Sequence, residues 1–393
     1  MSARERTPRP APLFLVVDPG ASPDPDLPPG SYTAVGEAGR RRLAIELSRR
    51  FGSVGAGVAS LHPARPPAGE TFHWGRWFTA AARSVLARVR SEGRPLDAIG
   101  YAGAGALALA DDTLLEALAS PIPGEAVGNN RFSTDAFMVG AEPSGPRGME
   151  AALAALESCS TDNAAIRCLE AAGFASRDLA SSSWARFDVD TPLDLALLRL
   201  AIRLPGTRRP DGLVSAFLEM ASLPGGRGLE LPHLERVGAV LRDPESQLVV
   251  AGRIPSAAWS YLEAESACRV RCFVEERGMR SARDAVPHSL LADWTERLGP
   301  ADLVKELASL GDAVILDSRV VMAARAGSSD ASAWPPAEER FASDFLDATP
   351  VATAWLAELT AAAAASDVPF LLGGHALVSD GLRILVDAAW LGR

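Results

Sequence analysis

Short apolar runs alternate with helix-forming segments from residue 13 to the end of the chain, and this alternation limits the fold more than any other feature. The runs are LFLVVD (13–18), VGAGVASL (54–61) and LDAIGYAGAGAL (96–107) in the first half, then QLVVAGRI (247–254), CRVRCFVEE (268–276), DAVILD (312–317) and VPFLLGG (368–374) in the second. Several are apolar nearly throughout rather than at every other position. A strand can be apolar on both sides only if both sides are covered, and the periodic segments between the runs supply the covering helices. The expected class is therefore α/β: two three-layer α/β domains with mostly parallel sheets.

Pro- and Gly-rich stretches punctuate this pattern, among them PGASPDPDLPPG, HPARPPAGE, TRRPDG and LPGGRG. They predict a disordered leader over 1–11, a first domain over 12–204, a linker over 205–230 and a second α/β domain of unknown type over 231–393. A formal charge of −10, from 39 basic and 49 acidic residues, argues against nucleic acid or an anionic membrane as a broad partner. No apolar run reaches the roughly 18 residues of a membrane span, and no apolar stretch suited to a signal peptide follows the charged N-terminus, so a cytoplasmic location is expected. The four cysteines, Cys159, Cys168, Cys268 and Cys272, form no CxxC pair and predict buried free thiols. Lys305 is the only lysine, so any cationic phosphate clamp in the first half must be built from arginine.

The most specific motif is FDVDTPLDLALL, 187–198. A strand presents Asp188 and Asp190 on one face because its side chains alternate. Thr191 suits a helix N-cap and Pro192 the first helical position. Two carboxylates at that spacing can hold Mg²⁺ through oxygen ligands, or they can simply cap the helix or pair with Arg186. Upstream, GNNRFSTD (128–135) gathers Asn129, Asn130, Arg131, Ser133 and Asp135, which can contact a base, a ribose or a phosphate, or can close a loop on its own backbone. TFHWGRWF (71–78) offers tryptophans for base stacking or, as is commoner for tryptophan, for packing.

Residues 184–198 resemble the late motif of the MobA-like nucleotidyltransferases, a family that joins nucleotides to molybdopterin, phospholactate or sugar phosphates and carries D-x-D-T-P-x-D-L or N-x-N-T-P-x-D-L near the end of the domain. IGYAGAGALALADDTLLEALA stands where that family has a strand, an Asp-x-Pro-Leu metal motif and a helix, and GNNRFSTDAFMVG stands near its substrate-contacting residues. The resemblance covers about residues 13–200. It implies a nucleotide-diphospho-sugar transferase fold, Mg²⁺ held by Asp188 and Asp190, and transfer of a nucleotide to a phosphorylated acceptor, with the residues of 129–135 binding nucleotide or substrate. The chain departs from the family in two places. DPGASPDPDLPPGS lacks the Gly-rich loop ending in Arg and Lys that follows the first strand, and GAGALAL lacks the first metal carboxylate. These departures imply the alternative, a non-catalytic nucleotide- or sugar-binding or scaffold protein on a degenerate transferase domain.

In the second half, charged or Gly-rich residues follow each apolar run. If the runs form one parallel sheet, their carboxyl ends share an edge, where α/β folds bind ligands. Glu275, Arg277, Asp317, Arg319 and His375 are then expected to converge, through Glu275–Arg319 or Asp317–Arg277 pairs, or around a small acidic or phosphorylated ligand.

Overall fold

In a computed structural model, which describes residues 11–18, 28–62, 72–93, 96–181, 184–275 and 286–391, the apolar runs become strands and the periodic segments helices. Residues 1–10, most of the expected leader, lie outside the described residues. The chain divides into two compact units, Met1–Ala21 with Arg40–Asp188, and Ser22–Gly39 with Val189–Arg393.

The first unit contains β1 (Leu13–Val17), most of α1 (Tyr32–Ser53), β2 (Gly57–Leu61), α2 (Trp74–Ser91), β3 (Ala98–Ala102), α3 (Asp112–Leu118), β4 (Glu125–Gly128), β5 (Ala136–Gly140), α4 (Met149–Glu157), α5 (Ala165–Ala171) and β6 (Ala175–Asp178). Its strands run in the order β2-β1-β3-β5-β4-β6, with β5 antiparallel to both of its neighbours and the other pairs parallel. Alternation sends Phe14 and Val16 to one face, where Phe14 stacks on Phe51 of α1 at 3.7 Å, and Leu13 and Leu15 to the other. On that second face Trp74, Phe78, Tyr101 and Phe137 pack with ring centroids between 5.0 and 6.2 Å apart. Trp74 is thus a core residue, and His73 caps α2 by accepting from the N–H of Arg76.

The second unit adds α6 (Pro192–Ala201), α7 (Gly212–Met220), the two-residue strands β7 (Ser222–Leu223) and β8 (Arg227–Gly228), α8 (Leu234–Arg242), β9 (Gln247–Gly252), α9 (Ser256–Glu265), β10 (Arg269–Val274), α10 (Leu290–Leu298), α11 (Pro300–Ser309), β11 (Ala313–Asp317), α12 (Ser318–Ala326), α13 (Ala337–Asp344), α14 (Ala354–Ala365), β12 (Phe370–Gly373), α15 (His375–Val378) and α16 (Asp380–Trp390). Its four-stranded sheet, β10-β9-β11-β12, is wholly parallel. Every side chain from Ala313 to Asp317 is buried, as a central parallel strand requires, whereas β10 is an edge that exposes Arg269 and Arg271.

The division falls after Asp188, not within the linker expected at 205–230. The physical reason is α6, whose apolar side packs on α13, α15 and α16. Leu195 fills the space beside Gly39, and Pro192 lies against Gly36. The cysteine reading also needs correction. Cys159 and Cys168, just past α4 and within α5, form a disulfide with Cα atoms 6.8 Å apart, and the free thiols are Cys268 and Cys272. Among the described residues no helix is long and apolar enough to cross a membrane.

Candidate functional site

The late motif is built around a helix start. Phe187 and Val189 are buried, Asp188 is half-buried and Asp190 exposed, so burial alternates, but 184–190 forms a turn and one isolated bridge rather than the expected strand. Asp188 forms a single antiparallel bridge with Ala106, which ties the motif to the turn after β3. Thr191 and Asp194 make a capping box: Thr191 Oγ1 accepts from the N–H of Asp194 at 3.3 Å, and Asp194 Oδ2 accepts from the N–H groups of Asp190 and Thr191 at 3.0 and 2.9 Å. Burial, followed by the nearby charge of Asp190, pushes the Asp194 carboxyl up to about 7. Among the described residues no three His, Cys, Asp or Glu side chains gather as a group that could hold a metal ion. Two carboxylates fall short of the oxygen set of a fully protein-held divalent cation.

The polar loop of the first unit is occupied by its own bonds. The buried Asn129 side chain accepts through Oδ1 from the N–H groups of Asp135 and Ala136, both at 3.0 Å, and donates through Nδ2 to the carbonyl of Ala185 at 3.0 Å and to Asp135 Oδ2 at 3.4 Å. It thereby staples the end of β4 to the start of β5. Asn130 Oδ1 accepts from the N–H of Phe132, and Ser133 Oγ donates to Asn163 Oδ1 at 2.7 Å. Arg131 leaves the cluster for an exposed pair with Glu170 at 2.8 Å. Asn129 and Asp135 are brought together, Asn130 closes on the N–H of Phe132, and Arg131 and Ser133 are turned to partners on or near α5.

The carboxyl edge of the second unit's sheet is different. Asp317 ends β11 and is fully buried. Arg253, just past β9, donates Nε and Nη2 to its two oxygens at 2.6 and 3.0 Å, and the N–H of Arg319 donates at 3.2 Å. Gly252, with φ of 132°, lies so close that a Cβ there would overlap the Cβ of Asp317, and only glycine gives both that backbone conformation and that approach. Arg319 in turn forks onto the buried Asp344 of α13, Nη1 to Oδ1 at 2.8 Å and Nη2 to Oδ2 at 2.5 Å, and donates to Ser318 Oγ at 3.0 Å. Burial is the largest influence and would raise the Asp317 carboxyl, but the charge and hydrogen bonds of Arg253, together with the charges of His375 and Arg319, hold that carboxyl below its ordinary value. Burial opposes the charge of Arg319, and the bidentate Asp344 carboxylate more than restores it.

Asp317, Arg319 and His375 therefore share one electrostatic neighbourhood. The pairs expected from sequence are replaced: Asp317 takes Arg253, and Arg319 takes Asp344. Glu275 instead accepts from Ser289 Oγ and the N–H of Leu291, both at 3.1 Å, at the start of α10. Arg277 lies outside the described residues. Three members of the cluster were missed. Arg253 was findable by the same strand-end rule, because it directly follows β9. Asp344 and Arg340 come from α13, and no local signal in the sequence carries that helix to the sheet edge.

Arg340 completes the cluster and differs from its neighbours. Among the described residues its guanidinium has no ion-pair or hydrogen-bond partner, and its Nε is sealed from solvent with no acceptor. Its Cζ lies 5.7 Å from the ring centroids of both Trp334 and Phe341. Burial, then the positive charge of Arg319, brings its pKa down to about 10. A cavity of about 500 Å³ elsewhere in this unit, beside α6 and the start of α8, is also lined by arginines, but there they are engaged. Arg199 pairs with Glu219 and Glu230, Arg203 pairs with Glu219, and Arg236 donates to the carbonyl of Asp367. No protein-family model, curated protein or solved structure matches the chain.

Proposed function

We propose that this chain is a non-catalytic binding protein for a nucleotide or another phosphorylated small molecule, with a first unit descended from a MobA-like nucleotidyltransferase domain. The bridge between Ala106 and Asp188 carries the reading. By the resemblance, the segment containing Ala106 stands where the first metal carboxylate belongs, so a methyl group faces the late motif in place of a second oxygen donor. The Thr191–Asp194 capping box accounts for the T-P-x-D part of the motif by helix initiation alone. The mixed, mainly parallel first sheet and the order of its strands along 13–178 support descent from a transferase domain with its backbone kept.

The test is incubation of the full chain with nucleoside triphosphates, sugar phosphates and Mg²⁺, following both pyrophosphate release and thermal stability. The expected result is a ligand-dependent rise in the melting temperature with no pyrophosphate formed. Pyrophosphate release that disappears in Asp188→Asn overturns the binding reading in favour of Mg²⁺-dependent transfer.

A further inference from the structure

Among the described residues, the ion pairs at the carboxyl edge of the second sheet leave one guanidinium over. Arg253, Arg319 and Arg340 contribute three guanidinium groups, and Asp317 and Asp344 are the two carboxylates ion-paired with them, each held by one arginine; the nearby Asp194, which also acts on Arg319, has its carboxyl pushed up to about 7 and pairs with none of the three. On α13, Asp344 stands one turn after Arg340 and would be its natural partner, but Arg319 takes both of its oxygens. Arg340 is left half-buried, flanked by Trp334 and Phe341. Its Nε is sealed, whereas Nη1 and Nη2 are neither sealed nor hydrogen-bonded within the described residues. A cation withdrawn from water without a counter-charge destabilises the fold, and aromatic walls of low polarity increase its attraction for an anion. The surplus lies where parallel α/β sheets hold their ligands, outside the carboxyl ends of the strands.

We propose that Arg340 is the head of an oxyanion site at the carboxyl edge of β9, β11 and β12, where its two open Nη groups take the phosphate of a small phosphorylated ligand. The proposal rests on the reading that the protein binds such a molecule, and it assigns the place and the group. Arg253, Arg319, Asp317 and Asp344 act as the fixed frame: their mutual pairing holds the charges rigid and leaves one positive charge to recruit the ligand. A carboxylate has the same planar pair of oxygens, so phosphate and carboxylate ligands are separate arms of the test.

The experiment titrates inorganic phosphate, and in parallel acetate, into wild type, Arg340→Gln and the control Arg83→Gln, whose guanidinium on α2 makes an exposed pair with Glu157 of α4 at 2.8 Å, at constant ionic strength, with binding read by calorimetry and thermal shift. Wild type and R83Q are expected to bind phosphate alike, and R340Q about tenfold more weakly or not at all, as for loss of one charge-assisted bidentate contact. Without anion, R340Q is expected to melt at or above the wild-type temperature, because it removes an uncompensated charge; a residue needed only for folding would do the opposite. Phosphate binding within twofold of wild type in R340Q, or tight acetate binding with none of phosphate, overturns the proposal. A nucleotide that stabilises R340Q as fully as wild type removes this site while leaving the binding reading intact. Pyrophosphate release from triphosphates removes the binding reading itself.

Discussion

The polar loop at 128–135 and the sheet edge around Asp317 are both rich in hydrogen-bonding and charged residues, and only one has a group left over. In the loop, each singled-out side chain with an assigned bond finds its partner on the loop itself, on the turn at Ala185 or on the helical turns beside it: Asn129 on Asp135, Ala136 and Ala185, Ser133 on Asn163, and Arg131 on Glu170. At the sheet edge the partners come from separate elements, β9, β11, α12 and α13, and their pairing strands Arg340. A polar cluster drawn from one segment can satisfy itself locally, so its richness says little about a ligand. A cluster assembled from several segments has a net charge that emerges only when they meet, and the imbalance there is what points to a ligand.

Mutations can break or sharpen this contrast. The largest effect is expected for Asp317→Ala, which leaves Arg253 buried without a counter-charge and should cost about 3–5 kcal/mol in denaturant unfolding. A loss below about 1 kcal/mol would show that the frame is hydrated rather than sealed.

The next effect is a pH dependence. Asp194 has its folded pKa raised to about 7, so between the ordinary carboxylate value and 7 the native state holds a proton that the unfolded chain has released. Its contribution to stability is full at the acid end of that window and falls by on the order of 2–4 kcal/mol as pH rises through 7. Both capping bonds fall on Oδ2, so an Asn side chain can accept them equally. Asp194→Asn should therefore keep the fold and flatten the wild-type-minus-variant stability difference above pH 7. Parallel stability curves from pH 4.5 to 8 would show that Asp194 stays ionised throughout.

Asn129→Ala should cost about 2–3 kcal/mol, because it leaves the N–H groups of Asp135 and Ala136 without their acceptor. Nucleotide-induced stabilisation is expected to persist in this variant once its lower starting melting temperature is allowed for. Arg131→Ala should change stability by less than about 0.5 kcal/mol, since its pair with Glu170 is exposed, and should leave ligand binding unchanged. Loss of nucleotide binding in R131A would return the loop to the list of sites.

The alternation of buried strands and helices was legible because runs such as QLVVAG and AVILD are apolar on both faces, a pattern that only a covered parallel sheet rewards. The reversal of β5 was not legible: AFMVG is as apolar as the strands of the sheet that run the other way, and direction depends on how the loop stapled by Asn129 turns the chain. The allegiance of α6 was hidden for a similar reason. PLDLALLRLA is apolar on most sides, so its pattern names no partner, and the choice is made by contacts such as Leu193 beside Gly373. Of the sheet-edge site, Asp317, Arg319 and His375 could be read from the strand-end rule, while Asp344 and Arg340 could not, because α13 reaches the edge through tertiary packing alone.

Anomalous diffraction from crystals soaked in tungstate, a heavy tetrahedral analogue of phosphate, puts both regions in one experiment. A peak is expected within hydrogen-bonding distance of the Arg340 Nη groups and none beside Asn129, Asn130 or the Asp188–Asp190 pair. A peak at the first-unit loop with Arg340 bare would contradict it, because the region whose bonds are already closed would then be the one that takes the anion.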